Sequence, residues 1–138
     1  MENTSDLLRH HNIKPSFTRV MIYDFLKSNM NHPTVEEIFQ ALNPVLPTLS
    51  KTTVYNTLDL FIEKHLVQAL LMQQQKHYDL ITHPHAHFKC DLCDAIIDLD
   101  VQPPKLDQKT AQDYSVYTAQ LVYRGVCKEC QKNAPKGA

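Results

Sequence analysis

Residues 34–64 read TVEEIFQALNPVLPTLSKTTVYNTLDLFIEK, a segment with the pattern of two helices joined by a short turn. It opens with T-x-x-E, the form of a capping box, in which two side chains satisfy free N–H groups at the start of a helix. Regularly spaced apolar residues follow, so the sequence predicts a helix over 35–43. Two prolines interrupt the pattern, and Ser50 is then well suited to cap a second helix over 51–64.

The second of these helices has an apolar face and a polar face. Three apolar residues have the spacing of a buried stripe: Val54, Leu58 and Phe61. Five residues lie on the opposite face: Lys51, Thr52, Tyr55, Asn56 and Asp59. Two helices joined by a short turn, the second with a polar outer face, are typical of a helix-turn-helix motif. A small helical domain whose polar face only meets water is the competing interpretation.

Several side chains in this region suit contacts to DNA. Lysine reaches a phosphate or guanine, asparagine pairs with adenine, and hydroxyl groups contact the backbone. Lys14 and Arg19 lie at the start of the preceding helix, where a cation suits a phosphate better than it suits the positive helix end. The candidate DNA-binding residues are Lys14, Arg19, Ser50, Lys51, Thr52, Tyr55 and Asn56.

The flanking segments complete the pattern of a winged helix. Upstream, the sequence predicts helices over 5–11 and 16–28. The buried stripe predicted for the second of them is Phe17, Val20, Met21 and Phe25. Downstream, 67–72 and 76–81 are predicted as the two strands of a hairpin, with a turn of glutamines at 73–75.

Length and composition exclude several classes of protein. The chain has 138 residues, 43% hydrophobic and 21% charged, which suits one domain or two small ones and excludes a disordered tail. No apolar run approaches the ~20 residues of a membrane span, and the N-terminus is polar, so we expect a soluble, cytoplasmic protein without a membrane partner. The chain contains only 2 glycines, which argues against a glycine-rich phosphate loop. Its net charge of -1 gives no general sign of nucleic-acid binding.

The sequence changes character after residue 80. Residues 83–87, HPHAH, are too polar and too rich in histidine for a core, and we interpret them as a linker. Beyond them the sequence predicts a strand over 95–100, a helix over 103–112 and a strand over 114–126. The expected fold class is therefore α+β, with an N-terminal winged helix-turn-helix domain and a small C-terminal α/β domain.

The four cysteines form two C-x-x-C pairs, Cys90 with Cys93 and Cys127 with Cys130. In a reducing cytosol, paired thiols are metal ligands more often than disulfides. Four thiolates that converge on one ion suit zinc at a closed site, so the pairs predict a structural Zn(2+) that stabilises the C-terminal domain. A redox function of the thiols is the alternative.

A second group of donors consists of histidines and aspartates around the linker. Its members are His83, His85, His87, Asp79 and Asp98, with His32 further away. Imidazole and carboxylate together suit Mn(II), Fe(II), Ni(II) or Zn(II). On an extended segment residues i and i+2 point the same way, so His85 and His87 can share one metal. A solvated linker without a metal is the competing interpretation.

Four motifs occur in order along the chain. They are NHPTVEEI at 31–38, TVYNTL at 53–58, HAHFKCDLC at 85–93 and the closing C-x-x-C pair at 127–130. Together they resemble the ferric uptake regulator superfamily of bacterial metal-dependent repressors, and most of all its peroxide-sensing branch. Asp98 favours that branch, since iron-sensing relatives tend to place glutamate there.

The resemblance implies a regulatory Fe(2+) or Mn(2+) held by three histidines and two aspartates. The matching positions are His32, Asp79, His85, His87 and Asp98. It implies that the protein is not an enzyme but a transcriptional repressor. The repressor would sense hydrogen peroxide through iron-catalysed oxidation of a ligand histidine. The implied targets of oxidation are His32 and His85.

The resemblance also implies how the chain is divided. We expect a winged-helix DNA-binding domain over 1–81, a hinge over 82–88, and a dimerisation and zinc-binding domain over 89–138. A homodimer would hold two recognition helices about one DNA turn apart (~34 Å) on a palindromic operator in double-stranded DNA. An ion with ligands from both domains would fix the angle between them.

Three other functions are open at this point. An iron, manganese or zinc uptake regulator would use the same donors, with the metal itself as the signal. A metallo-hydrolase would need an open coordination position, a general base and a substrate cleft, and the sequence offers no obvious pair of residues for these. A zinc-stabilised module that binds a partner protein is consistent with the near-neutral charge.

Overall fold

A computed structural model describes residues 2–72, 74–81, 85–116 and 118–133. The chain divides into a first unit, Met1–Ile81, and a second unit, Thr82–Ala138. Within the described residues, no helix has the length and apolar character needed to cross a membrane.

The first unit contains four helices followed by a hairpin within its described residues. In chain order these elements are α1 (Thr4–His10), α2 (Phe17–Ser28), α3 (Val35–Leu42), α4 (Lys51–Glu63), β1 (Val67–Met72) and β2 (Gln75–Leu80). The two strands are antiparallel, with Val67 opposite Leu80 and Met72 opposite Gln75. The predicted winged helix-turn-helix is confirmed. The predicted turn is shorter than expected, because Gln75 already belongs to β2, and Gln73 lies outside the described residues.

Side-chain caps explain where the predicted helices begin. The hydroxyl oxygens of Ser16, Thr34 and Ser50 accept hydrogen bonds from the backbone N–H three residues further on, at 3.1, 3.2 and 3.1 Å respectively. The Thr34 hydroxyl also donates to the Glu37 carboxylate at 3.2 Å. Each cap satisfies an N–H group that has no partner inside its helix.

The core of the first unit contains the predicted stripe of α4. Val54, Leu58 and Phe61 are fully buried. The stripe predicted for α2 is wrong by one position along the helix: its buried residues are Ile22, Tyr23 and Leu26. Phe17 is 70% exposed, and Val20, Met21 and Phe25 are only partly buried. The physical reason is that α2 packs against α1, α3, α4 and β2, so its burial is not confined to one narrow face.

The second unit is built on a three-stranded sheet. Its described elements are β3 (Ala86–Cys90), β4 (Ile96–Leu99), α5 (Gln108–Asp113), β5 (Val122–Gly125) and α6 (Lys128–Asn133). The strand order is β4-β3-β5. The central strand β3 pairs antiparallel with β4 and parallel with β5. This mixture of helices and sheet confirms the α+β class.

The sequence prediction is wrong at three places in the second unit. Residues 86–88, predicted as the end of the linker and hinge, belong to β3, while 82–84 lie outside the described residues. Pairing on both edges satisfies the backbone of β3, so polar composition does not keep this segment out of the sheet. The predicted helix begins at Gln108 instead of 103, because the Asp107 carboxylate caps it by accepting the N–H of Thr110 at 2.7 Å. In the described part of 114–126, only Val122–Gly125 is strand.

Truncation of Leu58 tests the core of the first unit. Because this side chain is fully buried, we expect Leu58→Ala to lower the free energy of unfolding by about 2–5 kcal/mol. The control is Leu71→Ala on β1, where the side chain is 71% exposed. We expect that control to change stability by less than about 0.5 kcal/mol. Urea unfolding followed by far-ultraviolet circular dichroism measures both, and equal effects would contradict this assignment of the core.

Candidate metal centres and nucleic-acid interface

The four cysteines of the second unit converge on one point. Cys90 ends β3, Cys93 lies in the turn after it, and Cys127 and Cys130 lie just before and within α6. One sulfur from each cysteine lies within 4.8 Å of all the others. The parallel pairing explains the convergence, because it places Cys90 opposite Gly125, two residues before Cys127. Four sulfur donors at this spacing fit a closed tetrahedral zinc site.

The backbone around Cys90 favours the thiolate that a metal requires. Its sulfur accepts N–H groups from Cys127 at 3.4 Å, Cys93 at 3.5 Å and Leu92 at 3.4 Å. These hydrogen bonds, that of Cys127 foremost, lower the pKa of Cys90 to about 6. In the metal-free cluster the Cys127 thiol next to Cys130 raises the pKa of Cys130. The cluster therefore loses its first proton most readily at Cys90.

Two of the predicted nitrogen and oxygen donors lie in the first unit. His32 lies in the loop between α2 and α3, and Asp79 lies on β2. Both residues are buried, and His32 Nε2 is 3.9 Å from Asp79 Oδ2. This distance is too long for a hydrogen bond but suits two atoms that share one ion.

The backbone of His32 is held in an uncommon conformation. Its φ is 59°, in the left-handed region that few residues other than glycine adopt. His77 Nδ1 donates to the His32 carbonyl oxygen at 2.8 Å, and the Tyr78 N–H donates to the Pro33 carbonyl at 2.9 Å. Two neighbouring residues of β2 therefore fix the position of His32. From the sequence, His77 is a residue beside the site that could replace a ligand, and its position two residues before Asp79 on a strand places both on the same face. Its contact with the His32 carbonyl is not predicted by the sequence.

The other three donors lie together in the second unit. His85 Nε2 and His87 Nε2 are 3.0 Å apart, which is the proximity expected of residues i and i+2. Asp98 Oδ1 is 3.4 Å from His87 Nε2 and 3.7 Å from His85 Nε2. The register of β3 and β4 explains this arrangement, because His87 lies directly opposite Asp98. His83, the remaining candidate of this group, lies outside the described residues.

The candidate DNA-binding residues fall into two groups. Thr52, Tyr55 and Asn56 are exposed on α4. The others also make contacts within the protein. The Ser50 hydroxyl caps α4, and Lys51 Nζ lies 2.6 Å from the Glu36 carboxylate of α3.

Lys14 and Arg19 are linked to each other at the start of α2. The Arg19 guanidinium donates to the carbonyl oxygen of Lys14 at 2.8 Å, while the Lys14 residue itself is exposed. This contact ties the loop before α2 to the first turn of the helix. It leaves the Lys14 ammonium at the surface, where it can meet a phosphate.

Comparisons with known proteins agree with these features. A model of the Ferric uptake regulator family matches residues 10–131. A peroxide-responsive repressor PerR of Staphylococcus aureus strain Mu50 is 36% identical over 95% of this chain and 91% of its own length. The protein of the same name from Staphylococcus saprophyticus is 34% identical over the same shares.

Solved structures of similar proteins share the fold. A structure that describes peroxide sensing and gene regulation by PerR from Streptococcus pyogenes is 29% identical, with a TM-score of 0.54, and the match covers 94% of this chain and 92% of that one. The ferric uptake regulator of Pseudomonas aeruginosa, solved with manganese, matches at 22% identity with a TM-score of 0.69, over 93% of this chain and 99% of that one.

A pH titration of the metal-free protein tests the environment of Cys90. We expect one thiolate to appear near pH 6, well below the ordinary thiol pKa of 9.0, because three N–H groups point at this sulfur. Since the folded pKa is depressed, the ionised thiol stabilises the metal-free fold fully above about pH 9, and this contribution is lost as the pH falls through about 6. The ultraviolet absorbance of thiolate reports the titration. Cys90→Ser should remove this first step and Cys130→Ser should retain it; the reverse result would show that the assignment is wrong.

Proposed function

This chain belongs to the ferric uptake regulator family, which consists of metal-responsive transcription regulators and not of enzymes, and we propose that it is a repressor that senses hydrogen peroxide. Members of the family bind DNA as dimers. The observation that carries the proposal is the pairing of a four-cysteine cluster with separate groups of histidine and aspartate donors. The relatives named PerR, at about 35% identity over almost the whole chain, support the peroxide signal.

The four cysteines would hold a structural Zn(2+). A closed site of four protein ligands leaves no position for a substrate or for water, which suits a structural and not a catalytic ion. Zinc-bound thiolates also react with peroxide less readily than a free thiolate of low pKa. The cysteines are therefore proposed to stabilise the second unit without taking part in sensing.

The regulatory ion would be bound by donors from both units. His32 and Asp79 provide one nitrogen and one oxygen, and His85, His87 and Asp98 provide two nitrogens and one oxygen. This mixture of imidazole and carboxylate suits Fe(II) or Mn(II) better than softer ions. Fe(II), when bound, would supply the electron that starts cleavage of the peroxide O–O bond. Overall, the imidazole ring of His32 or His85 would lose two electrons and gain one oxygen atom, while the other peroxide oxygen would leave as water.

One ion shared by both units would couple metal binding to DNA affinity. Ligands in the two units would restrict the angle across the hinge, which we propose to lie before β3, in the first part of the predicted range 82–88. To shift an equilibrium between two angles from 1:99 to 99:1, the ion must favour one of them by about 5.5 kcal/mol. Oxidation of a ligand would remove that preference, and the free hinge would then lower the population that fits DNA.

The proposed DNA-binding surface is the exposed face of α4 together with Lys14 and Arg19. Asn56 could pair with an adenine, and Lys51 could bind a phosphate or a guanine once it leaves Glu36. In a homodimer formed by the second unit, two such helices about 34 Å apart would match a palindromic operator. This activity would take place in the cytoplasm.

Peroxide treatment of the iron-loaded protein tests the sensing mechanism. We expect anaerobic Fe(II)-loaded protein to gain one oxygen atom on the peptide containing His32 or His85 after dilute hydrogen peroxide. Its affinity for a duplex selected from random sequences by the Mn(II)-loaded protein should fall at least tenfold, or about 1.4 kcal/mol. Peptide mass spectrometry and fluorescence anisotropy provide the two measurements.

Manganese-loaded protein is the control, and it should keep both its mass and its DNA affinity. Oxidised cysteines beside unmodified histidines would refute the proposal. DNA binding that follows the metal concentration and ignores peroxide would favour the alternative, an iron, manganese or zinc uptake regulator.

The salt dependence of DNA binding tests the position of Lys51. If this side chain neutralises one phosphate, Lys51→Gln should reduce the slope of log affinity against log salt concentration by about 0.9. Lys109→Gln on α5 of the second unit is the matched control and should leave the slope unchanged. An unchanged slope for Lys51→Gln would show that Lys51 does not neutralise a phosphate when DNA is bound.

A further inference from the structure

A buried lysine lies directly beside the cysteine cluster. Lys89 precedes Cys90 on β3, and the residue is only 3% exposed. Its ammonium donates to the Cys90 carbonyl oxygen at 2.9 Å and to the Asp94 carboxylate at 2.9 Å. Lysines are seldom buried unless they are paired, because an ammonium that leaves water loses a large solvation energy. The two contacts are therefore the reason that this charge is tolerated inside the unit.

The partner of this lysine closes the turn that carries two of the cysteines. Asp94 has a φ of 63°, a left-handed conformation that glycine adopts easily and that aspartate adopts more readily than most other residues. The Asp94 N–H donates to the Cys90 carbonyl at 3.1 Å, and the Cys90 N–H donates to the Ala95 carbonyl at 3.0 Å. The Cys90 carbonyl thus accepts from the backbone of Asp94 and from the side chain of Lys89.

We propose that Lys89 and Asp94 form a clip that holds the Cys90–Cys93 turn in its metal-binding shape. The clip joins the strand before the turn to the residue after it, so it fixes both ends of the turn at once. The N–H groups of Leu92 and Cys93 point at the Cys90 sulfur in this shape, at 3.4 and 3.5 Å. Lys89 is thus a positioning residue for the site in which we proposed zinc, and the inference rests on that proposal.

A second ion pair on the same turn provides a matched control. The Arg124 guanidinium donates to the Asp91 carboxylate at 3.0 Å, and both side chains are largely exposed. Exposed pairs of this kind contribute little to stability. Arg124 donates hydrogen bonds to the side chain of Asp91, whereas Lys89 donates one to the backbone carbonyl of Cys90. Of these two cations, Lys89 is therefore the one that contacts the backbone of a proposed zinc ligand.

The rate of zinc release tests the clip. Lys89→Met keeps the apolar stem of the side chain but removes the ammonium, and Arg124→Met removes the exposed pair. The full-length zinc-loaded protein is mixed with an excess of the chromogenic chelator 4-(2-pyridylazo)resorcinol. We expect release from Lys89→Met to be about tenfold faster than from wild type, since loss of a group that orients a metal ligand typically weakens metal binding by at least that factor. Arg124→Met should stay within about twofold of wild type.

A second variant keeps the test decisive if Lys89→Met does not fold. Asp94→Gly removes the carboxylate and suits the left-handed backbone, so we expect it to fold and to release zinc faster than wild type. If the two residues act as one unit, Lys89→Met combined with Asp94→Gly should release zinc no faster than Lys89→Met alone. The spectrum of the Co(II)-substituted variants should broaden, which a general loss of stability would not cause.

The outcomes separate the clip from the zinc proposal. If Lys89→Met and Asp94→Gly bind zinc and release it at the wild-type rate, the clip is overturned but the proposed zinc site is not. Equal acceleration by Arg124→Met would also overturn it, because any loss of charge near the turn would then suffice. If the wild-type protein binds no zinc at all, the proposed structural site itself is wrong.

Discussion

The hydrogen-bond ladder of β3 is the constraint on which the second unit depends. Its antiparallel edge brings Asp98 opposite His87, and its parallel edge brings Gly125 opposite Cys90. The register on one edge therefore assembles nitrogen and oxygen donors, and the register on the other assembles sulfur donors. A slip of one residue would turn every side chain of a strand to the opposite face. Both donor groups of the unit thus depend on the same five-residue strand, Ala86–Cys90.

The chemical difference between the two donor groups gives them different tasks. Four thiolates favour an ion that stays in place, whereas imidazole and carboxylate favour ions that are held less firmly and can take part in redox chemistry. Cys90 is fully buried, while Asp98 is exposed at the surface of β4. The sulfur site is only partly shielded from solvent, because Cys127 is buried as well but Cys93 is exposed. In the proposed function, the exposed carboxylate of Asp98 would leave a route for a small oxidant. In the proposed function, a structural ion and a regulatory ion would be bound a few residues apart.

The sequence predicted the elements whose signals are local. Hydroxyl caps at Ser16, Thr34 and Ser50 marked helix starts, and the C-x-x-C spacing marked the cysteine cluster. It failed where neighbours in space decide the outcome. Burial of α2 on several sides shifted its apolar stripe, and pairing on both edges made a strand of a histidine-rich segment.

The supporting contacts of two residues were not predicted, because neither residue is one of the ligand positions of a metal-binding motif. His77 and Lys89 act on backbone carbonyls, which spacing rules do not describe. The only hint for Lys89 was a charged residue between Phe88 and Cys90 in a segment that turned out to be a strand.

The left-handed backbone of His32 restricts what evolution can place at that position. Glycine would relieve the backbone but would remove the donor atom, and a β-branched or bulky side chain would clash with its own backbone. Asparagine, aspartate and histidine are the residues that accept this conformation most readily while still offering a donor. If residue 32 binds the proposed regulatory ion, natural variation there should therefore be limited to this short series, since these residues keep both the loop conformation and a donor atom.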